Sequence, residues 1–141
     1  EHEVVAYMIL PILLGLGWSE QLLAVEWKKV DLAGFRETPT VPEACVLVCE
    51  AKAMTQGLQN TMRQAERYAS RLKLRGCEKI LLTQGGRFYV YQRDADGSWA
   101  SDPSGYFNVE KFRSRHLLPP GTDAIETLMS LTPQRICSGN R

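Results

Sequence analysis

The chain has 141 residues and a mass of 15.9 kDa, the size of one domain, and it can bury a hydrophobic core without disulfide or metal staples. Apolar residues make up 44% of it and charged residues 23%, so the composition excludes an intrinsically disordered chain. Seventeen basic and sixteen acidic residues leave a net charge of +1, so any nucleic-acid binding must come from local basic clusters and not from the overall charge.

The first half of the chain predicts one helix and three strands. Apolar residues recur at helical spacing through residues 4–16, and the proline within this stretch either kinks the helix or starts a new helical segment. Residues 25–30 and 31–35 have the composition of strands, and residues 36–43, with two prolines, predict a loop at a hairpin tip. Residues 44–51 are almost continuously apolar, a pattern typical of a central strand that is buried on both faces.

The second half begins with the clearest helix, residues 58–75, whose apolar side chains form one stripe and which Gly76 should terminate. A Gly-Gly pair at residues 85–86 predicts a hairpin between the two strands that follow the helix. The remaining predictions are strands at residues 79–83 and 88–93, a polar loop at 94–105, a short helix after Asn108 and a helix at about 122–131. Helices that interrupt strands indicate an α/β domain, with a mixed β-sheet core flanked by helices.

Cysteine and histidine are too few and too scattered for several kinds of site. The four cysteines contain no Cys-x-x-Cys pair and the chain has two histidines, which disfavours structural zinc and catalysis built on a central imidazole. Reduced thiols in a cytoplasmic protein fit this pattern best. The longest uncharged stretch, residues 4–18, is shorter than the roughly 20 residues that span a bilayer, so no membrane segment is expected.

Two acidic residues and a lysine form the pattern that could carry chemistry. Glu50-Ala-Lys52 closes the most apolar strand, and side chains alternate along a strand, so Glu50 and Lys52 should share the face of Val46 and Val48. Asp31 begins the preceding strand and would lie beside that face if the two strands pair. The sequence therefore predicts two carboxylates and one ammonium group at a single place.

Adjacent carboxylates repel each other unless a hard divalent cation holds them together. Mg²⁺ accepts carboxylates, a main-chain carbonyl and water or phosphate oxygens, so Asp31, Glu50 and the carbonyl of Ala51 are its candidate ligands. Such an ion lowers the pKa of a bound water, which Lys52 could orient or deprotonate. The alternative is a salt bridge at a buried edge with no metal, and a second Glu-x-Lys at residues 26–28 shows that the pattern arises by chance.

The long helix carries two further sets of polar residues. Gln64 and Tyr68 are one turn apart on the shoulder of the apolar stripe, from which both could lean toward the face of Glu50 and Lys52. A basic ridge with steps of four residues lies opposite the stripe and consists of Arg63, Arg67, Arg71 and Arg75. The ridge could hold DNA phosphates with salt-dependent affinity, and the alternative is an ordinary solvated helix face.

Several of these residues belong to longer motifs that follow one another along the chain. The motifs are Glu-x-x-x-Val-x-x-x-Ile-Leu-Pro-Ile-Leu-Leu-x-Leu-Gly-Trp at residues 1–18, Asp31, Glu50-Ala-Lys52, Gln64-x-x-x-Tyr68, and Ile-Leu-Leu-Thr-Gln-Gly-Gly-Arg-Phe-Tyr-Val-Tyr at residues 80–91. Each motif alone is unspecific. The ordered set resembles the N-terminal nuclease domain of type I restriction enzyme R subunits, which belongs to the PD-(D/E)xK nuclease superfamily, and the resemblance covers nearly the whole chain.

The resemblance implies a restriction-endonuclease-like fold and an assignment of roles. The family's metal carboxylates fall on Asp31 and Glu50, its catalytic lysine on Lys52, and its Gln-x-x-x-Tyr motif on Gln64 and Tyr68. An acidic residue of the first helix is also expected near the metal, and both Glu1 and Glu3 qualify, with Glu3 favoured. Val30 stands before Asp31 where the superfamily name has proline, a tolerated change.

The resemblance also bears on partners. No Gly-x-x-x-x-Gly-Lys-Ser/Thr phosphate loop follows, so the ATP-driven motor of those subunits is absent from this chain. The chain would then be a domain of a longer polypeptide or a stand-alone relative. The implied partners are DNA, other restriction-system subunits or a motor domain, and a second copy of the chain, because cutting both strands would suit a dimer.

Three classes of function remain open on these grounds. The first is a Mg²⁺-dependent DNA endonuclease in which Mn²⁺ can substitute. The second is a catalytically inactive nucleic-acid-binding or interaction module on the same fold, in which the carboxylates pair only with cationic side chains. The third is a small-molecule phosphoesterase, which tests with short oligonucleotides and nucleotides would distinguish from the first.

Overall fold

A six-stranded mixed β-sheet forms the centre of the structure. The computed structural model describes residues 8–52, 57–84, 86–109 and 124–137. The strands, in their order across the sheet, are β1 (Leu23–Trp27), β2 (Val30–Phe35), β3 (Cys45–Lys52), β4 (Lys79–Gln84), β5 (Arg87–Gln92) and β6 (Gly105–Asn108). Strands β3 and β4 run parallel, and the other neighbouring strands run antiparallel.

Helices cover both faces of this sheet. The described α-helices are α1 (Leu10–Gly15), α2 (Leu58–Arg71), α3 (Ala124–Met129) and α4 (Pro133–Cys137). Helix α2 is the crossover that a parallel pair requires, and its Met62, Ala65 and Ala69 pack on one face of the sheet. The other helices contribute to the core on the opposite face, where the indole N–H of Trp18 donates a 2.8 Å hydrogen bond to the carbonyl of Leu131. The predicted α/β class with a mixed sheet flanked by helices is confirmed.

No helix in the described ranges is long and apolar enough to cross a membrane. Helix α1 has its proline in the first turn, and residues 8–9 immediately before it are π-helical, so Pro11 lies where a π-helical turn passes into the α-helix.

The central position predicted for residues 44–51 is confirmed for β3, in which every residue from Cys45 to Ala51 is buried. The face predicted for Val46 is wrong. The register pairs Gly34 with Leu47 but Phe35 with Cys45, which leaves Val46 as the extra residue of a β-bulge. Val46 consequently packs with the cluster on the α1 side, whereas Val48 packs with the cluster under α2.

The end of helix α2 also differs from the prediction. The helix stops at Arg71, and Lys73, not Gly76, takes the left-handed conformation that closes it, with φ of +55°. The N–H of Leu74 bonds to the carbonyl of Ala69 at 2.9 Å, the pattern of a Schellman motif. Burial of Leu74 accompanies this early stop, which costs about 1–2 kcal/mol of backbone strain at a lysine.

The last strand was not predicted. Residues 105–108 form β6 on the edge beside β5, where Phe107 stacks on Phe88 with ring centroids 4.7 Å apart. The helix predicted at 122–131 is present as α3, α4 was not predicted, and the short helix expected after Asn108 lies outside the described residues.

Close packing between β6 and α3 gives a stability prediction. A Cβ atom added to Gly105 would lie 2.6 Å from two side-chain atoms of the buried Thr127, closer than atoms can approach. We expect Gly105→Ala to lower the free energy of unfolding by about 1–3 kcal/mol, measured by urea denaturation. Gly15→Ala is the matched control, because its Cβ would meet nothing within 4 Å, and it should be neutral or stabilising. Equal stabilities for the two variants would contradict this packing.

Tyr91 gives a second prediction, on alkaline stability. Burial, with the neighbouring Asp102, Tyr89 and Glu66, raises the pKa of Tyr91 to about 12. An unfolded tyrosine ionises near pH 10, so the contribution of Tyr91 is complete below pH 10 and is lost as the pH rises from about 10 to 12. From pH 9 to pH 12 the free energy of unfolding should fall in both proteins, and the fall should be about 2 kcal/mol smaller in Tyr91→Phe than in the wild type. Parallel pH profiles of the two proteins would contradict the assignment.

Candidate active site

The candidate site residues meet at the carboxyl end of β3. Strand β2 runs antiparallel to β3, so the beginning of β2 and the end of β3 lie at one edge of the sheet. The register pairs Leu32 with Cys49 and Ala33 with Val48, and one further step sets Asp31 opposite Glu50. The strand pairing that the interpretation of Asp31 required is therefore present.

Two hydrogen bonds join Asp31 and Glu50 reciprocally through the main chain. The N–H of Asp31 donates to Oε2 of Glu50 at 2.9 Å, and the N–H of Ala51 donates to Oδ2 of Asp31 at 2.8 Å. Each carboxylate thus accepts a main-chain bond from the strand that carries the other. A carboxylate offers about four acceptor positions, so one such bond is compatible with a cation ligand at the same group.

Asp31 and Glu50 place two negative charges close together in a largely buried position. Glu50 is only 1% exposed and Asp31 is half-buried. Burial raises the pKa of the Cys49 thiol well above its usual range, with further increases from Glu50, Cys45 and Asp31. A buried carboxylate is costly unless it is hydrogen-bonded, paired or bound to a metal, and here two of them stand together.

Lys52 lies two residues beyond Glu50, at the half-buried end of β3. Alternation along the strand places it on the same side of the sheet as Glu50. In the same row across the sheet, Lys52 pairs with Gln84 of β4, and Gln84 pairs with the exposed Arg87 of β5. Lys52 is thus the cationic residue on the strand of Glu50, whereas Arg87 lies two strands away from β3, where its side chain bonds to Tyr89.

The side chains of Gln64 and Tyr68 contact each other. The amide Nε2 of Gln64 donates a 2.9 Å hydrogen bond to the Tyr68 hydroxyl, and the guanidinium carbon of Arg71 lies 5.1 Å from the Tyr68 ring centroid. These side chains line a shallow cavity of about 500 Å³, with Arg67 and Ser70. Within the described residues, no hydrogen bond connects either side chain to Asp31, Glu50 or Lys52.

The basic ridge is shorter than predicted. Arg63, Arg67 and Arg71 are exposed on α2, but Arg75 lies beyond the end of this helix. The adjacent Gly76 approaches the carbonyl of Cys45, at the opposite end of β3 from Lys52. Glu50 is five residue steps along the strand from Cys45, a distance of about 17 Å, so Arg75 does not belong with the site. The placement of Arg75 in the ridge is wrong because burial of Leu74 ends the helix first.

Glu1 and Glu3, the predicted acidic ligands of the first helix, lie outside the described residues. Over the ranges that the structure describes, no group of three or more His, Cys, Asp or Glu side chains is arranged to hold a metal. Among the described residues, Asp31 and Glu50 are the candidate cation ligands. Two carboxylates agree with the one or two that are typical of Mg²⁺ sites.

Three cationic residues at this edge were not predicted. Lys28 and Lys29 form the turn between β1 and β2, immediately before Val30 and Asp31, and Arg87 begins β5. The Glu-x-Lys pattern at residues 26–28 occupies this exposed hairpin, unlike the buried Glu50. The two lysines gave no turn signal in the sequence, because two-residue hairpin loops are usually recognised by asparagine and glycine.

The chain matches no protein-family model, no curated protein and no solved structure.

Proposed function

We propose that this chain is a Mg²⁺-dependent DNA endonuclease domain with a restriction-endonuclease-like fold. The proposal rests mainly on the reciprocal main-chain bonds that hold Asp31 and Glu50 side by side at a buried sheet edge, with Lys52 following on the same strand. The resemblance of the ordered motifs to type I restriction enzyme R subunits supports the same conclusion. A cytoplasmic location would accompany this function.

The residues present fit a hard divalent cation. Asp31 and Glu50 would be its carboxylate ligands, and the main-chain carbonyl of Ala51 is a candidate third ligand. In a strand, the N–H and C=O of one residue point toward the same neighbour. Because the N–H of Ala51 points at Asp31, its carbonyl is expected on that side too. Bound Mg²⁺ would supply a Lewis acid that offsets phosphate charge and makes a water more acidic.

The chain's own residues would then act on a phosphodiester as follows. Lys52 orients the attacking water and donates a hydrogen bond to the phosphate as negative charge accumulates on it. Attack of the water oxygen on phosphorus forms a P–O bond and breaks the bond to the 3′ oxygen. The attacking water releases one proton and the leaving 3′ oxygen takes up one from solvent, so a 5′-phosphate and a 3′-hydroxyl result. Gln64 and Tyr68 would lie beside the bound substrate, as the resemblance implies.

DNA would approach this edge of the sheet from outside. The exposed Arg63, Arg67 and Arg71 of α2 would contact its phosphates and make affinity salt-dependent. A second copy of the chain would allow both strands to be cut. Other restriction-system subunits or a motor domain would supply sequence recognition and translocation.

Nicking of supercoiled plasmid tests the proposal. We expect nicking with Mg²⁺ or Mn²⁺, none with EDTA, and no hydrolysis of mononucleotides. Hydrolysis of nucleotides and short oligonucleotides without plasmid nicking would instead identify a small-molecule phosphoesterase. Metal-independent DNA binding without any hydrolysis would contradict the endonuclease and leave a non-catalytic DNA-binding module.

A further inference from the structure

The turn between β1 and β2 has a conformation that its residues disfavour. Trp27 and Val30 are direct partners in the sheet, so Lys28 and Lys29 form a two-residue hairpin loop. Their φ angles are +48° and +73°, the positive values at both loop residues that characterise a type I′ turn. Asparagine and glycine accommodate this geometry readily, whereas a lysine side chain offers neither their small size nor a local hydrogen bond.

Both lysines of the turn are exposed, and Lys28 also contacts the strand that precedes it. Lys28 Nζ lies 5.7 Å from the centroid of the Trp27 ring, and Trp27 packs edge-on against the buried Phe35 with centroids 5.0 Å apart. Lys28 and Lys29 themselves are exposed. Strained backbone persists where the surrounding structure over-determines it, and in this hairpin it extends to Glu26, whose φ is +55°. The charge and the position of the two lysines, together with the strain, are the reason to look for a function.

The position of the turn indicates what that function is. Lys29 is separated from Asp31 by a single residue, so at most about 7 Å of backbone lies between their Cα atoms. Measured along the DNA helix axis, that span is about two nucleotide steps. The turn, Lys52 and Arg87 all lie at the sheet edge that holds the two carboxylates.

We propose that Lys28 and Lys29 bind the phosphodiester backbone of duplex DNA, within one or two nucleotides of the phosphate that reaches Asp31 and Glu50. The inference rests on the proposed function for its ligand. The two ammonium groups offset the repulsion between DNA and the carboxylates, at a turn that asparagine and glycine would fit with less backbone strain.

The test is a variant that relieves the backbone strain and removes the charges together. In Lys28→Asn/Lys29→Gly, affinity for a short fluorescent duplex, measured in EDTA at about 50 mM salt, should fall about 10- to 100-fold. The slope of log K against log salt should become shallower by about 2. The melting temperature should rise by about 3–8 °C, because both positions now suit a positive φ. Opposite changes in affinity and stability distinguish a binding turn from a merely structural one.

Lys73 provides a matched control. It too is an exposed lysine with positive φ, at +55°, but it lies at the end of α2 on the Arg75 side of the molecule. Lys73→Gly should therefore raise the melting temperature and leave DNA affinity unchanged. Lys28→Gln/Lys29→Gln removes the same charges without glycine, and it should weaken DNA binding as much as the asparagine-glycine variant does.

The outcomes separate this inference from the proposed function. Wild-type affinity and salt slope in both turn variants would overturn the inference, even if the wild type nicks plasmid. If the turn variants lose DNA affinity while the wild type binds DNA but never nicks it with Mg²⁺, the result would support the inference and contradict the endonuclease. A wild type that does not bind duplex DNA at all would overturn both.

Discussion

Lys52→Met should reduce Mg²⁺-dependent nicking of plasmid DNA by about 10²- to 10⁴-fold, the range that positioned acid–base and charge-stabilising groups contribute. Methionine keeps most of the side-chain volume and removes the ammonium group that orients water and stabilises the phosphate. The residue is half-buried at the end of β3, so the free energy of unfolding should change little. Nicking rates and urea unfolding curves of the same preparations check both statements.

Two companion variants make the result for Lys52 specific. Lys52→Arg keeps the charge but replaces a compact ammonium with a planar guanidinium, and it should also lose most of the activity. Lys73→Met removes an exposed lysine on the far side of the molecule and should nick like the wild type. Undiminished nicking by a purified Lys52→Met protein would contradict the assigned role.

Asp31→Asn should be more stable than the wild type without a metal ion and less stable than the wild type with one. The amide oxygen of asparagine can still accept the bond from the Ala51 N–H, while the charge beside Glu50 is lost. In EDTA the variant should be about 1–3 kcal/mol more stable than the wild type, because repulsion between two neighbouring carboxylates is relieved. With Mn²⁺ at about 100 times its Kd, the wild type should gain about 2.7 kcal/mol and the variant almost nothing.

Thermal and urea unfolding with and without Mn²⁺ measure this reversal. Glu43→Gln is the control, because Glu43 is exposed near the opposite end of β3 and its neutralisation should leave the Mn²⁺ effect unchanged. Equal stabilisation of the wild type and Asp31→Asn by Mn²⁺ would show that the cation binds elsewhere. A less stable Asp31→Asn in EDTA would show that the bonds accepted by the Asp31 carboxylate stabilise the fold more than its repulsion with Glu50 destabilises it.

The fold could be predicted where local patterns determine it. The apolar run of β3 and the stripe of α2 are properties of contiguous residues, and both were predicted from the sequence. Strand β6 was not, because its four residues follow a polar loop and gain strand structure only by pairing with β5. The early end of α2 depends on the burial of Leu74 in tertiary contacts, which periodicity along the helix does not reveal.

The candidate site was predictable in its residues but not in its geometry. Asp31 and Glu50 could be chosen by residue type and by the resemblance, while their approach depended on the pairing of β2 with β3. The position of Arg75 depended on where α2 ends. The turn at Lys28 and Lys29 becomes notable only through its backbone angles, because two lysines in sequence indicate no particular conformation.

The account requires that Asp31 and Glu50 share one divalent cation, and anomalous X-ray scattering from Mn²⁺-soaked crystals observes this directly. We expect a peak about 2.1 Å from an oxygen of each carboxylate, and no such peak in crystals of Asp31→Asn or Glu50→Gln. Crystals at saturating Mn²⁺ with no peak between the two side chains, or with Lys52 Nζ occupying that position, would contradict the central claim.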